Sequence, residues 1–215
     1  MRIVPDYTCV TLISQYLRLV PNLSPCAIIL TMNHADPKTI KNINAAALKE
    51  FIANGYKNAS LRSIAREAGV TTGAFYGYYK SKEVLFASIV DTHASYLRDL
   101  FSADSGESYD DFGKSRMTKL IVYTFDNIDG VRLLVSGSEG TKYADFFHEL
   151  TELMADGLKP YSKDLDLEFV HSLISGLFAS YCELVVHDAG RCKAGNAMHT
   201  LWKFYEAGWD KILTN

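Results

Sequence analysis

No pair of cysteines in this chain is placed to staple it or to hold a metal. The four, Cys9, Cys26, Cys182 and Cys192, are scattered, with no CxxC and no histidine at metal-ligand spacing. That argues against a disulfide framework and for a reducing cytoplasm. Proline and glycine are scarce, five and 14 of 215 residues, which disfavours a turn-rich all-β fold. Long apolar runs are missing too. The most apolar tract near a terminus, Cys26 to Met32, is about a third of the ~20 residues a membrane span needs. A signal peptide fits badly, because Arg2 stands alone and Pro5, Arg18, Pro21 and Pro25 interrupt any apolar segment. GxSxG, P-loop, GxGxxG and HExxH motifs are all absent. Ser136–Gly140 is Gly/Ser-rich but follows no strand, so it makes no phosphate cradle. No catalysis, cofactor or metal is therefore expected. The net charge of −3 and pI near 6.1 argue against a nonspecific DNA-coating protein.

What is present is a globular composition, 48% apolar and 22% charged. Residues 1–31 stand apart, with three of the five prolines and only Arg2, Asp6 and Arg18 as charges. Two readings are open: a loosely structured N-terminal extension, or a mis-called upstream segment with Met32 as the natural start. Either way they should be dispensable.

Asp36-Pro37 is a strong helix start. Ile40, Ile43, Ala47 and Phe51 then keep helical spacing up to Asn54, and Gly55 should cap the end. Ser60 can cap a two-turn helix whose inner face is Leu61, Ile64, Ala65 and Ala68. Gly69 breaks it and Val70 pins the turn. Thr71 or Thr72 caps a second short helix, Gly73–Tyr79, and Ser81 caps a longer one carrying Leu85, Phe86, Ile89, Tyr96, Leu97 and Leu100. Two short helices around a glycine turn form a helix-turn-helix pattern. From Pro37 to Val90 eight cations face three carboxylates, a net +5 that leaves −8 for the rest. One basic domain on an acidic body is the charge footprint of a DNA-binding head.

The run Ala46–Tyr56 followed by Ser60-Leu-Arg-Ser-Ile-Ala-Arg-Glu-Ala-Gly-Val-Thr-Thr-Gly-Ala-Phe-Tyr-Gly-Tyr-Tyr-Lys-Ser-Lys-Glu83 resembles the N-terminal domain of TetR/AcrR-family transcriptional regulators. The resemblance implies an all-α chain. Residues 37–98 would be the helix-turn-helix domain and 99–215 a helical ligand-binding and dimerisation domain. It also implies that the second short helix enters the major groove of a palindromic operator in double-stranded DNA. Thr71, Thr72, Gly73, Tyr76 and Tyr78 on that helix, Ser60 and Arg62 on the preceding one, and Lys80 and Lys82 beyond are the implied DNA contacts. Arg62 and Thr72 would read bases, and Tyr76, Lys80 and Lys82 would hold phosphate. Phe75 and Tyr79 read as core.

The acidic remainder shows helix candidates at 110–127, 129–136, 139–158, 165–188 and 194–213, after a polar loop at 102–110. The resemblance implies a homodimer through the last two helices, with Val170, Ile174, Leu177 and Tyr181 facing Leu201, Trp202, Tyr205 and Trp209. It further implies a repressor released by an unidentified small-molecule effector; the alternative is a DNA-binding regulator controlled by a partner protein. Met117, Tyr123, Phe125, Phe146, Phe147, Met154 and Tyr96 are available to a pocket, but no ligand contact can be assigned. His148 and His171 read as structural.

Overall fold

The computed structural model describes residues 36–102, 109–159, 165–187 and 190–213, so the expectations for residues 1–31 lie outside it. Pro37–Asn215 forms one compact unit. Among the described residues every regular element is a helix.

Helix α1, Pro37–Asn58, buries Ile43, Ala46, Ala47 and Phe51. Gly55 interrupts it with φ +68°, where a side chain would be strained, and a last turn continues to Asn58. Helix α2, Leu61–Glu67, is capped by Ser60, whose Oγ accepts from the Ser63 N–H at 3.3 Å. Thr71 caps α3, Thr72–Tyr78, accepting from the Ala74 N–H at 3.1 Å. Ser81 does the same for α4, Lys82–Phe101, at Val84. Between α2 and α3, Gly69 turns the chain with φ +73°. Ile64, Ala65, Ala68 and Phe75 close the small core beneath the two short helices.

Helices α5 (Tyr109–Asp126), α6 (Ile128–Ser136), α7 (Phe146–Leu158), α8 (Leu167–Val186) and α9 (Arg191–Leu213) build the body. The helix expected from 139 begins only at Phe146. Side chains take over the backbone partners there: the buried Ser138 hydroxyl lies 3.1 Å from the carbonyls of Leu134 and Tyr143, and Thr141 Oγ1 accepts from the Tyr143 N–H. Gly140, at φ +84°, completes the turn. Tyr143 is buried and donates its hydroxyl to Asp91 on α4.

One core runs from Ile43 to Trp209, with α4 as its spine against α1, α5, α6 and α7. Phe86 on α4 meets Phe51 edge-on at 5.1 Å and Tyr143 at 6.1 Å, joining head to body. A boundary at residue 98 thus falls inside the last turn of a continuous helix. The Tyr56 N–H donates to the Gly137 carbonyl at 2.8 Å, and Lys57 pairs with Glu139. Arg98 forks onto Glu149 of α7. Helix α8 is the one described helix long and apolar enough to cross a membrane. Here Val170, Ile174, Leu177, Phe178, Tyr181 and Val185 are buried, and the helix packs on α6, α7 and α9.

Gly130 on α6 is needed for the close approach of α4. A Cβ there would lie 2.2 Å from His93 Nε2. His93 Nδ1 lies 2.9 Å from the Tyr123 hydroxyl, and burial holds its pKa below the ordinary 6.5. The unfolded chain therefore takes up a proton near pH 6.5 that the folded chain resists. This residue's contribution to stability is unaffected above that pH and turns unfavourable as pH falls below it. We expect His93→Gln to flatten the decline in urea midpoint between about pH 7 and 5; parallel wild-type and variant profiles would contradict this.

Candidate nucleic-acid interface

The helix-turn-helix sorts its aromatic residues by depth. Phe75 and Tyr79 are buried, and the Tyr79 hydroxyl donates to Asn44 Oδ1 of α1 at 2.6 Å. Tyr76, between them in sequence, is 52% exposed and packs edge-on against Phe75. Tyr78 is half-buried against the core, so it does not share the full outward exposure that its spacing suggests. Thr72 and Gly73 are exposed at the start of α3. A Cβ on Gly73 would meet only Thr71 Oγ1, at 4.0 Å, so nothing within the fold requires a glycine there. Ser60 and Thr71 are exposed, with their hydroxyl oxygens engaged as caps.

The cations divide in the same way. Lys49 is paired with Glu67 and Lys57 with Glu139. Arg62, on the first turn of α2, is exposed and makes no ion pair among the described residues, and Lys41, Arg66 and Lys80 are also exposed. Lys82 departs from its expected phosphate role. Its Nζ donates to the carbonyls of Tyr56 (2.7 Å), Lys57 (3.3 Å) and Ala59 (3.1 Å) and lies 4.5 Å from the Tyr56 ring centroid. An ammonium has three N–H groups, and these three carbonyls occupy them. Lys82 clasps the end of α1 to the start of α4, which fixes the frame in which α2 and α3 sit.

Residues 43–89 match the family model described as bacterial regulatory proteins of the tetR family. Over these residues the chain carries a TetR-type DNA-binding segment. It is a transcriptional regulator, and the matched segment, within α1 to α4, is its DNA-binding head. The chain is 28% identical over 171 residues to the uncharacterized HTH-type transcriptional regulator YdgC of Bacillus subtilis strain 168, covering 78% of this chain and 82% of YdgC. It is 36% identical over 69 residues to the HTH-type regulator SrpR of Pseudomonas putida, 32% of each chain. Among solved structures, a transcriptional regulator of the AcrR type from Aquifex aeolicus VF5 superposes with a TM-score of 0.59 at 15% identity, covering 78% of this chain and 99% of that one. GusR of Salmonella enterica gives 0.53 at 17% identity, over 84% and 96%. These two superpositions show a shared fold through the body as well as the head.

In the body, the structure overturns the expected α8 contribution to a dimer face. Val170, Ile174, Leu177 and Tyr181 are 0–2% exposed within the single chain. They point inward because α6 and α7 cover them, and Tyr181 shares a 2.6 Å hydrogen bond with Thr124 of α5. Trp209 is also buried; Leu201, Trp202 and Tyr205 are half-buried. On α8 and α9 the outward large apolar residues are instead Phe204, at 72% exposure, with Leu167, Phe169 and Val186. Phe204, Leu173, Ala207, Gly208 and Ile212 line a groove of about 510 Å³ between α8 and α9. The sequence signal for Phe204 was its place opposite Trp202 and Trp209 on α9.

Of the residues available to a pocket, Phe146 and Met154 are buried in the core, and Tyr96 stacks on Tyr123 at 3.7 Å. A separate cleft of about 580 Å³ opens between α5 and α9, lined by Met117, Ile121, Val122, Met198 and Trp202, with Lys203 and Glu206 also in its wall. The buried Trp202 Nε1 has no hydrogen-bond partner among the described residues. His148, Glu152 and His171 converge elsewhere, at the α7–α8 contact. Sequence reasoning passed over this group, although the four-residue step from His148 to Glu152 was visible.

Proposed function

We propose that the chain is a cytoplasmic, homodimeric, sequence-specific repressor released by a small apolar effector. The observation that carries the reading is the split within Phe75–Tyr79: two rings lock the short helix to the core and Tyr76 is left outside beside Thr72 and Gly73. Such a helix presents a rigid outer surface to a major groove. Arg62 and Thr72 read bases; Tyr76 and Lys80 hold phosphate. Two copies are required because one helix-turn-helix makes too few contacts for tight operator binding. They pair through the outer face of α8 and α9, around Phe204. The effector enters the α5–α9 cleft and gives the Trp202 N–H an acceptor.

A randomised-site selection followed by salt-dependent binding tests the DNA surface. Arg62→Ala and Thr72→Ala should each flatten sequence preference, by about 1–3 kcal/mol where the lost contact is bidentate. Lys80→Ala should weaken all sequences alike and reduce the slope of log K against log salt by about 0.9. An unchanged preference in both base-reading variants would remove α2 and α3 from the groove.

A further inference from the structure

Three metal-ligand atoms meet at the contact of α7 with α8. His148 and Glu152 are one helical turn apart on α7. His171 comes from the neighbouring helix. His171 Nε2 lies 3.2 Å from Glu152 Oε1, and His148 Nε2 lies 3.7 Å from the same oxygen. All three ligand atoms fall within 4.8 Å of one another, and the two imidazole rings are 5.4 Å apart at 72°. With bonds of 2.0–2.1 Å, the ligands of a tetrahedral zinc ion stand about 3.3 Å apart. Two edges of such a tetrahedron are already close to that length.

The orientation of His171 adds a second observation. Ser175 Oγ donates to the His171 carbonyl at 2.8 Å, and the same oxygen lies 3.5 Å from His171 Nδ1. Because that hydroxyl proton is spent on the carbonyl, Ser175 offers Nδ1 a lone pair. A ring proton on Nδ1 would leave the free lone pair on Nε2. That buried Nε2 makes no hydrogen bond among the described residues. In that tautomer the Nε2 lone pair faces the Glu152 carboxylate, an arrangement that a cation between them relieves, and a hydrogen bond at the far nitrogen is how metal-ligating histidines are oriented.

We propose that His148, Glu152 and His171 form a site for a divalent late first-row transition cation, of which zinc fits best. Two imidazoles and one carboxylate suit zinc, whereas magnesium and calcium favour all-oxygen shells. His148 and Glu152 are exposed, so a fourth position stays open to water.

Full-length protein freed of metal by chelation and kept reduced would be titrated with zinc against a chromophoric chelator, and with cobalt for its visible d–d bands. One ion per chain is expected, with the absorption of a four- or five-coordinate site. His148→Ala and Glu152→Gln should each weaken binding about 100-fold, and Ser175→Ala, which only orients His171, about tenfold. Both exposed-ligand variants should keep the wild-type circular dichroism. Glu183 on α8 and its C-cap His187, 3.0 Å apart with no third ligand among the described residues, provide the control. His187→Ala should bind zinc as the wild type does. Equal affinity in wild type, His148→Ala and Glu152→Gln would overturn the site, as would affinity that follows His187 or the exposed Cys192.

Discussion

Phe204→Asp is expected to give folded monomers that no longer hold a palindromic operator tightly. At 72% exposure, the ring contributes little to its own chain's core, so helix content should survive. In a two-fold pair the residue is lost twice. Burying one large apolar side chain is worth about 1.5–3 kcal/mol, so the dimer should lose about 3–6 kcal/mol, a 10²- to 10⁴-fold rise in its dissociation constant. Sedimentation at micromolar concentration should show the wild type as a dimer and the variant as a monomer. Operator binding should fall with it, while affinity for a half-site stays near the wild-type value. Leu177→Asp, by contrast, places a carboxylate in a site 2% exposed within one chain and should unfold the protein. A wild-type chain that sediments as a monomer yet binds a palindrome tightly, or a variant that remains dimeric, would refute this interface.

Lys82→Met should destabilise the head without removing a phosphate contact. Methionine keeps the length of the side chain and removes the three donated N–H groups. The carbonyls of Tyr56, Lys57 and Ala59 then lose a charged donor. Hydrogen bonds to charged groups contribute about 1.5–3 kcal/mol, so a loss of about 2–3 kcal/mol in urea unfolding is expected. The salt dependence of operator binding should keep its slope, because the released counterions belong to other cations. An unchanged urea midpoint together with a slope shallower by about 0.9 would return Lys82 to the phosphate backbone.

The difference between Lys82 and Ser81 shows what the sequence makes legible. Ser60, Thr71 and Ser81 were readable as caps because each acceptor serves an N–H three residues on, within the same short segment. Gly55 and Gly69 were readable for a similarly local reason. Lys82 was not, since its acceptors lie 23 to 26 residues upstream and meet it only after α1 and α4 have packed. On α8 the periodicity correctly marks one apolar face at Val170, Ile174, Leu177 and Tyr181. Period alone cannot say whether that face is covered by the same chain or by a second copy; α6 and α7 cover it. His171 illustrates the same limit, because only the pairing of α7 with α8 carries it to Glu152.

The seating of His93 against Gly130 turns α4 into a beam under load. No side chain stands between the imidazole and the α6 backbone, so a sideways step of α6 has no soft material in which to dissipate. At 1.5 Å per residue, Lys82 lies ~29 Å from Phe101 and His93 lies ~12 Å from it. Phe101 is fully buried and meets Phe178 edge-on, a firm bearing for one end. A push of ~1 Å at His93 would then swing the Lys82 end by ~2.4 Å, since displacement grows in proportion to distance along a rigid helix. Mirrored across a two-fold pair, that swing would change the gap between the two reading heads by up to ~5 Å, against a groove repeat of about 34–36 Å. In such a pair, one missing methyl on α6 would set the gearing between the body and the DNA.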